Sequence, residues 1–170
     1  MKPLPSAPLF TAGAVPTGDG EAVLRTALML RSLAQAGTES PFLRGKHLAL
    51  VSASVPSSSQ DRVETAARRL GARVARLSAL AVQGEGARAQ DTGRMLGLLY
   101  DALDCEDLPA AVLLRLREDC GVPVYEGLGR MDHPVALLLP CLAGATDPAG
   151  SAPEDNHCFL LQALLVRTLL

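Results

Sequence analysis

Residues 43–77 read LRGKHLALVSASVPSSSQDRVETAARRLGARVARL, and this stretch decides the fold. It opens with the short apolar run His47–Ser52, which is typical of a strand buried in a parallel sheet. A helix over residues 61–70 follows, and Gly71 ends it because glycine readily adopts the left-handed conformation at a helix terminus. A second strand is predicted at residues 74–77. The stretch therefore predicts two parallel strands joined by a right-handed helical crossover.

The rest of the chain continues this alternation. Upstream, residues 20–36 place their apolar side chains largely on one helical face, which predicts a first amphipathic helix that Gly37 ends. Downstream, the pattern predicts a helix that begins at Asp91 as its N-cap, a strand near residues 101–105, a helix at 109–119, a strand at 122–125 and a helix opening at His133. Strands that alternate with helices predict a parallel sheet with helices on both faces.

The domain organisation is predicted to be simple. Residues 1–19 form a lead-in segment rich in Pro, Gly, Ala and Thr, and residues 20–170 form one α/β domain. Residues 144–153 contain a Gly/Pro/Ser segment without periodicity, which indicates a linker. After it, residues 155–170 predict an amphipathic C-terminal helix with Asp155 or Asn156 as its cap.

The composition of the 170-residue chain excludes several classes of partner. A formal net charge of −2 and a pI near 5.9 give no electrostatic reason to expect nucleic acid or an anionic membrane as partner. With three Phe, two Tyr and no Trp, the chain also lacks aromatic platforms on which bases could stack. No apolar run approaches the roughly 20 residues that are needed to cross a bilayer.

The cysteines indicate neither a metal site nor a cofactor. Cys105, Cys120, Cys141 and Cys158 are widely spaced and form no C-x-x-C pair. They are interpreted as small buried apolar residues in a reducing compartment. The N-terminal MKPLPSAPLF contains three prolines where a signal peptide needs a continuous apolar segment, so a cytoplasmic location is expected.

Several short motifs occur together in a recognisable order. They are Glu64 with Leu70-Gly71, Asp91-Thr92, Tyr100-Asp101-Ala102, Gly121-Val122-Pro123-Val124, His133-Pro134 and, in the last helix, Gln162-Ala163-Leu164-Leu165. In this order and spacing the chain resembles the aspartate and ornithine carbamoyltransferases from residue 20 onward. The resemblance implies the carbamoyl-phosphate domain of that family, a single doubly wound parallel sheet of four strands in order 2-1-3-4. It also implies a homotrimer.

The same resemblance implies that the second, amino-acid-binding domain is missing. Residues 144–153 stand where about half of a transferase would be, and the C-terminal helix resembles the one by which those enzymes return to their first domain. Carbamoyl transfer needs two substrates held in line within a water-poor cleft. One open half-site provides neither condition, so no catalytic residue is predicted.

The remaining half-site departs from the family pattern. In the family, a Ser-Thr-Arg-Thr-Arg turn grips the phosphate of carbamoyl phosphate, and that turn falls here on residues 56–60, Pro-Ser-Ser-Ser-Gln. Ser58 and Gln60 replace the two arginines, and Glu106 aligns with a third. The family's His-Pro-x-Gln reads His-Pro-Val-Ala from His133. The residues left to hold a small anion such as phosphate weakly are Ser57, Ser58, Ser59 and His133.

Each candidate also has a purely structural interpretation. The serine-rich turn is alternatively interpreted as an ordinary strand-to-helix loop with serine caps. His133 is alternatively interpreted as a helix-initiating residue with a hydrogen-bonded ring.

The leading functional hypothesis is a non-catalytic carbamoyltransferase-like protein that serves as an assembly, regulatory or partner-binding subunit. The alternative is a ligand-binding or active family member that uses a different small anionic substrate at the carboxyl ends of the strands. A third hypothesis is an evolutionary remnant without a selected ligand.

Overall fold

A computed structural model describes residues 17–38, 40–53, 57–84, 86–145 and 152–170. Helices and strands alternate along these residues, as predicted. Short 3-10 turns at Ala79–Ala81 and Pro134–Leu138 complete the order. The elements are α1 (Thr17–Gln35), β1 (His47–Ser52), α2 (Ser58–Arg69), β2 (Arg73–Ser78), α3 (Gly86–Leu99), β3 (Ala102–Glu106), α4 (Ala110–Asp119), β4 (Val124–Glu126), α5 (Leu139–Gly144) and α6 (Pro153–Leu169).

The strands form one parallel four-stranded sheet in the order β2-β1-β3-β4. The predicted order 2-1-3-4 is therefore confirmed. In the centre of the sheet, β1 pairs with both neighbours, and Ser52 at its carboxyl end lies opposite Ser78 of β2 and Glu106 of β3. The carboxyl ends of these three strands consequently meet at one edge of the sheet.

Two apolar cores cover the two faces of the sheet. Successive side chains of a strand point to opposite faces, so Leu48 and Leu50 of β1 join the core that contains residues of α1, α2 and α6. Ala49 and Val51 join the core formed with α3 and α4. Helices on both faces, as predicted, explain why β1 reads as a continuous apolar run.

The C-terminal helix α6 is more deeply buried than predicted. Residues 156–165 are buried without interruption, whereas an amphipathic helix would expose one face. Two of the polar residues in this run find partners inside the protein, since Arg31 donates to Asn156 Oδ1 at 3.5 Å and Gln162 donates to the Ala66 carbonyl oxygen at 3.4 Å. Helix α6 is therefore a central element of the first core.

Several predicted boundaries were wrong. Helix α3 begins at Gly86, so Asp91 lies inside it and is not its N-cap. The cap of α6 is Ala152 rather than Asp155 or Asn156. Helices α1 and α2 each begin three residues earlier than expected, and the last two strands are shifted toward the C-terminus by one or two residues.

The remaining predictions concern Gly71, the cysteines, the two chain segments predicted as lead-in and linker, and membrane spans. Gly71 has a φ of +83° directly after α2, as its predicted role requires. Three cysteines are buried, but Cys141 is exposed. Much of the predicted lead-in (1–16), Pro56 of the serine-rich turn and residues 146–151 of the predicted linker lie outside the described residues. Among the helices that the structure describes, none combines the length and apolar character that a membrane span needs.

Candidate functional site

The start of α2 and the end of β3 come together at the carboxyl edge of the sheet. Helix α2 begins at Ser58, with Ser57 as its N-cap, soon after β1 ends at Ser52. Glu106, the last residue of β3, pairs in register with Ser52. Because side chains alternate along a strand, Glu106 shares a face with Asp104 and Ala102, and that face carries α2. The carboxylate of Glu106 is thereby brought to the N-terminus of α2.

Two serine hydroxyls bind this carboxylate. Ser57 Oγ donates to Glu106 Oε2 at 2.5 Å, and Ser59 Oγ donates to Glu106 Oε1. Ser57 Oγ also accepts the backbone N–H of Gln60 at 3.3 Å, which is the usual bond of an N-cap side chain. Only 6% of Glu106 is exposed. The resemblance aligned Glu106 with a third arginine of the family, but the sequence did not indicate that its carboxylate lies at the N-terminus of α2.

The four predicted binding residues are not equivalent. Ser57 and Ser59 both contact Glu106, whereas Ser58 between them is exposed. His133 is buried, and its Nδ1 accepts the N–H of Val135 at 3.2 Å, so it caps the 3-10 turn at Pro134–Leu138. The structure therefore joins two of the serines through Glu106, and it gives His133 the capping role that the structural interpretation expected.

Burial makes His133 a poor base at neutral pH. Its pKa is lowered to about 4, mainly because burial disfavours the charged imidazole and also because His157 lies nearby. The pKa of His157 is lowered as well, by burial and by Arg62. His157 Nε2 and Gln60 Nε2 are both buried without a hydrogen-bond partner among the described residues.

An open cavity of about 450 Å³ adjoins this edge, and its lining is acidic. Glu106, Asp107, Glu126 and Asp132 line it together with Arg130. Arg130 already forms a two-pronged ion pair with Asp132, with two N···O distances of 2.8 Å, and its guanidinium also lies 4.0 Å from Asp107. The cavity therefore presents an excess of negative charge to any ligand.

A further carboxyl group that the sequence did not single out lies beneath this edge. Asp104 is fully buried and accepts the N–H of Leu128 at 2.9 Å. Burial raises its pKa to about 7, and the nearby Glu106 adds to the rise. The acid in the first turn of α2, Asp61, lies on the surface and forms an ion pair with Arg76 at 2.6 Å. The described residues contain no cluster of His, Cys, Asp and Glu suited to a metal ion.

The chain is similar to known ornithine carbamoyltransferases. It is 33% identical over 114 residues to the enzyme of Cutibacterium acnes, a match that covers 66% of this chain and 34% of that protein. The match to the enzyme of Actinobacillus pleuropneumoniae serotype 5b has 34% identity over the same length and the same shares. The chain thus spans about a third of the length of the curated relatives it matches. It matches no family model.

Solved structures show the same relationship at the level of the fold. Ornithine carbamoyltransferase from Pyrococcus furiosus has a TM-score of 0.62 at 23% identity, with 74% of this chain and 41% of that one covered. A putative aspartate carbamoyltransferase from Leishmania major Friedlin has a TM-score of 0.57 at 26% identity, with 74% and 40% covered. The chain therefore has a parallel α/β fold like that of the carbamoyltransferases. In sequence and in fold it is similar to a part of the ornithine and aspartate carbamoyltransferases.

Proposed function

We propose that this protein is a non-catalytic carbamoyltransferase-like domain that acts as an assembly, regulatory or partner-binding subunit. The observation that carries the proposal is the charge of the cavity at the carboxyl edge. Four carboxylates line it, and the arginine that lies among them is already paired with Asp132. Such a cavity repels phosphate and carboxylate groups, which are the charged groups of the substrates that the resemblance implies.

The residues aligned with the family's arginines support the same conclusion. Ser58, Gln60 and Glu106 stand where the resemblance expects three cations. A charge-assisted hydrogen bond contributes roughly 1.5–3 kcal/mol, so losing two such arginines weakens phosphate binding by about 3–6 kcal/mol. At about 1.4 kcal/mol per tenfold, the loss is on the order of 10²–10⁴ in affinity. Replacement of the third cation by Glu106 adds repulsion.

The proposal includes the absence of a second domain between α5 and α6. Helix α5 ends at Gly144 and α6 begins at Pro153, so residues 145–152 join them. The two helices contact each other in the same core. In this proposal, α6 corresponds to the helix by which the family's chain returns from its second domain, and here it packs on the same core directly after the short connection from α5.

An enzyme assay tests the lack of catalysis. We expect no carbamoyl transfer from carbamoyl phosphate to aspartate or ornithine above a no-protein control. The double substitution Ser58→Arg with Glu106→Arg should strengthen phosphate binding in calorimetry without producing turnover, because the second substrate still has no site. Turnover by the unmodified protein would refute the proposal.

A thermal-shift experiment separates this proposal from the alternative, a ligand-binding domain for another small anion. The ligands to compare are carbamoyl phosphate, phosphate, aspartate and ornithine. A ligand present at 100 times its dissociation constant stabilises the folded state by about 2.7 kcal/mol, which is readily detected. A clear shift with any of the anions would favour the alternative.

We also propose a homotrimer, which rests on the resemblance, and a cytoplasmic location. Exposed apolar side chains on the outer face of α3 support self-association, since Leu98 and Leu99 are well exposed and Met95 adjoins them. Light scattering should give a mass well above the 17.8 kDa of one chain, and Leu98→Glu should lower it. A monomer of 17.8 kDa at micromolar concentration would exclude the trimer.

A further inference from the structure

We propose that Glu106 is an internal substitute for a bound oxyanion, which closes the N-terminal end of α2 to external anions. This inference rests on the proposed function, because it explains why an external anion does not bind at the carboxyl edge of the sheet. The carboxylate belongs to the chain itself, so the edge stays occupied without any ligand. Removing the carboxylate, with everything else intact, opens the end of α2 to an external oxyanion.

The geometry is that of a bound anion. Both carboxylate oxygens of Glu106 are engaged, each by a different hydroxyl, Ser57 Oγ at 2.5 Å from Oε2 and Ser59 Oγ against Oε1. Hydrogen bonds to an ionised acceptor are short and strong, and the N-terminus of a helix carries partial positive charge. The Glu106 carboxylate is thus held by two side-chain hydroxyls at the N-terminus of α2, where the helix dipole favours a negative charge.

The position of Glu106 in the sheet explains why it reaches the helix. It is the last residue of β3, opposite Ser52 of β1, and its side chain extends along the face that carries α2. Glu106 is only 6% exposed, so the contact is shielded from water. A tethered group competes at a high effective concentration, and it also repels an incoming anion of like charge. External phosphate therefore cannot displace it at ordinary concentrations.

The test compares the response of three proteins to inorganic phosphate at constant ionic strength, with chloride as the balancing anion. They are the unmodified protein, Glu106→Ala and Glu126→Ala, a control that removes from the same cavity an acid that does not contact the serines. Because Glu126 pairs with Arg117, this control also releases a cation, so a phosphate response caused only by a gain of positive charge would appear in it as well. We expect phosphate to raise the melting temperature of Glu106→Ala by several degrees and to leave the other two unchanged. A folded Glu106→Ala protein without a phosphate response would overturn the inference, as would an equal response in the unmodified protein.

A double-mutant cycle gives a second measurement in case Glu106→Ala folds poorly. Ser59→Ala should lower the urea midpoint of the unmodified protein, because Ser59 then no longer donates to the carboxylate. In a Glu106→Gln background, which keeps the length of the side chain and removes its charge, the same substitution should lower the midpoint by less than half as much. Equal decreases in both backgrounds would contradict the inference. Carbamoyl transfer by the unmodified protein would refute the proposed function, whereas these two measurements decide the role of Glu106.

Discussion

Substitution of a single leucine in α6 tests whether this helix completes the core. Leu161 is 0% exposed and belongs to the core formed with α1 and α2, whereas Leu170, just beyond the same helix, is 74% exposed. Replacement of a buried leucine by alanine removes its transfer free energy and leaves a cavity, at a cost of about 2–5 kcal/mol. The total stability of a domain is about 5–15 kcal/mol, so Leu161→Ala should remove a large share of it.

Urea denaturation followed by circular dichroism measures this effect. With a slope of about 2 kcal/mol per molar urea, the middle of the usual range, Leu161→Ala should lower the midpoint by roughly 1–2.5 M. Leu170→Ala is the control and should change stability by less than about 0.5 kcal/mol. Similar shifts for the two variants would mean that α6 does not pack as described.

Deletion of residues 155–170 extends the same reasoning. The deleted segment contains Phe159, Leu160, Leu161, Leu164 and Leu165, all of them buried. Each such side chain contributes about 1.5–3 kcal/mol when it is fully buried, so their sum is comparable to the whole stability of a domain. The truncated chain should be insoluble or molten. A soluble truncated chain with an unchanged melting temperature would refute the packing role of α6.

Three further predictions concern the buried side chains of Asp104 and His133 and the close packing around Gly97. Burial raises the pKa of Asp104 to about 7. Between about pH 4 and 7 the folded protein therefore keeps a proton on this carboxyl group that the unfolded chain has already lost. The free energy of unfolding consequently falls as the pH rises through that window. His133 acts in the opposite direction over part of this window, so Asp104→Asn should make the urea midpoint rise more steeply with pH than it does in the unmodified protein, and an unchanged pH dependence would contradict the assignment. The pKa of His133 is lowered from 6.5 to about 4, so below about pH 6.5 the unfolded chain binds a proton on this imidazole that the folded protein does not. The free energy of unfolding therefore decreases as the pH falls from 6.5 to 4. His133→Asn keeps an acceptor at the cap and should weaken that loss, whereas the same acid sensitivity as in the unmodified protein would count against it. A Cβ at Gly97 would lie 1.8 Å from the Cys120 carbonyl oxygen, so Gly97→Ala should lower the melting temperature clearly, while Gly144→Ala, with nothing within 4 Å of its Cβ, should not.

Local patterns in the sequence were sufficient to locate the strands to within one or two residues. The run His47–Ser52 was predicted at its observed bounds because a strand buried on both faces is apolar at nearly every position. Such side-chain patterns repeat within a few residues, so they can be read without knowing what lies across the fold. The order of the four strands, in contrast, was predicted from the resemblance.

Helix boundaries and the burial of α6 depended on contacts that local patterns do not contain. Asp91 is a favourable N-cap by residue type, yet α3 extends back to Gly86. Helix α6 appeared amphipathic because Asn156, His157 and Gln162 are polar. In the folded protein, Arg31 and the Ala66 carbonyl supply hydrogen bonds to Asn156 and Gln162, so burial no longer leaves those two groups unpaired.

The same distinction between local sequence patterns and tertiary contacts applies to the candidate site. The sequence, with the resemblance, determined that Ser58 and Gln60 replace the arginines of the turn and that a carboxylate stands at position 106. Only the tertiary structure decided that Ser57 and Ser59 bind Glu106 while Ser58 faces outward. The contact joins residues almost fifty positions apart, and it exists because β1 and β3 pair in a register that brings Ser52 beside Glu106. Pairing between distant strands is set by the packing of the whole sheet, which no local pattern records.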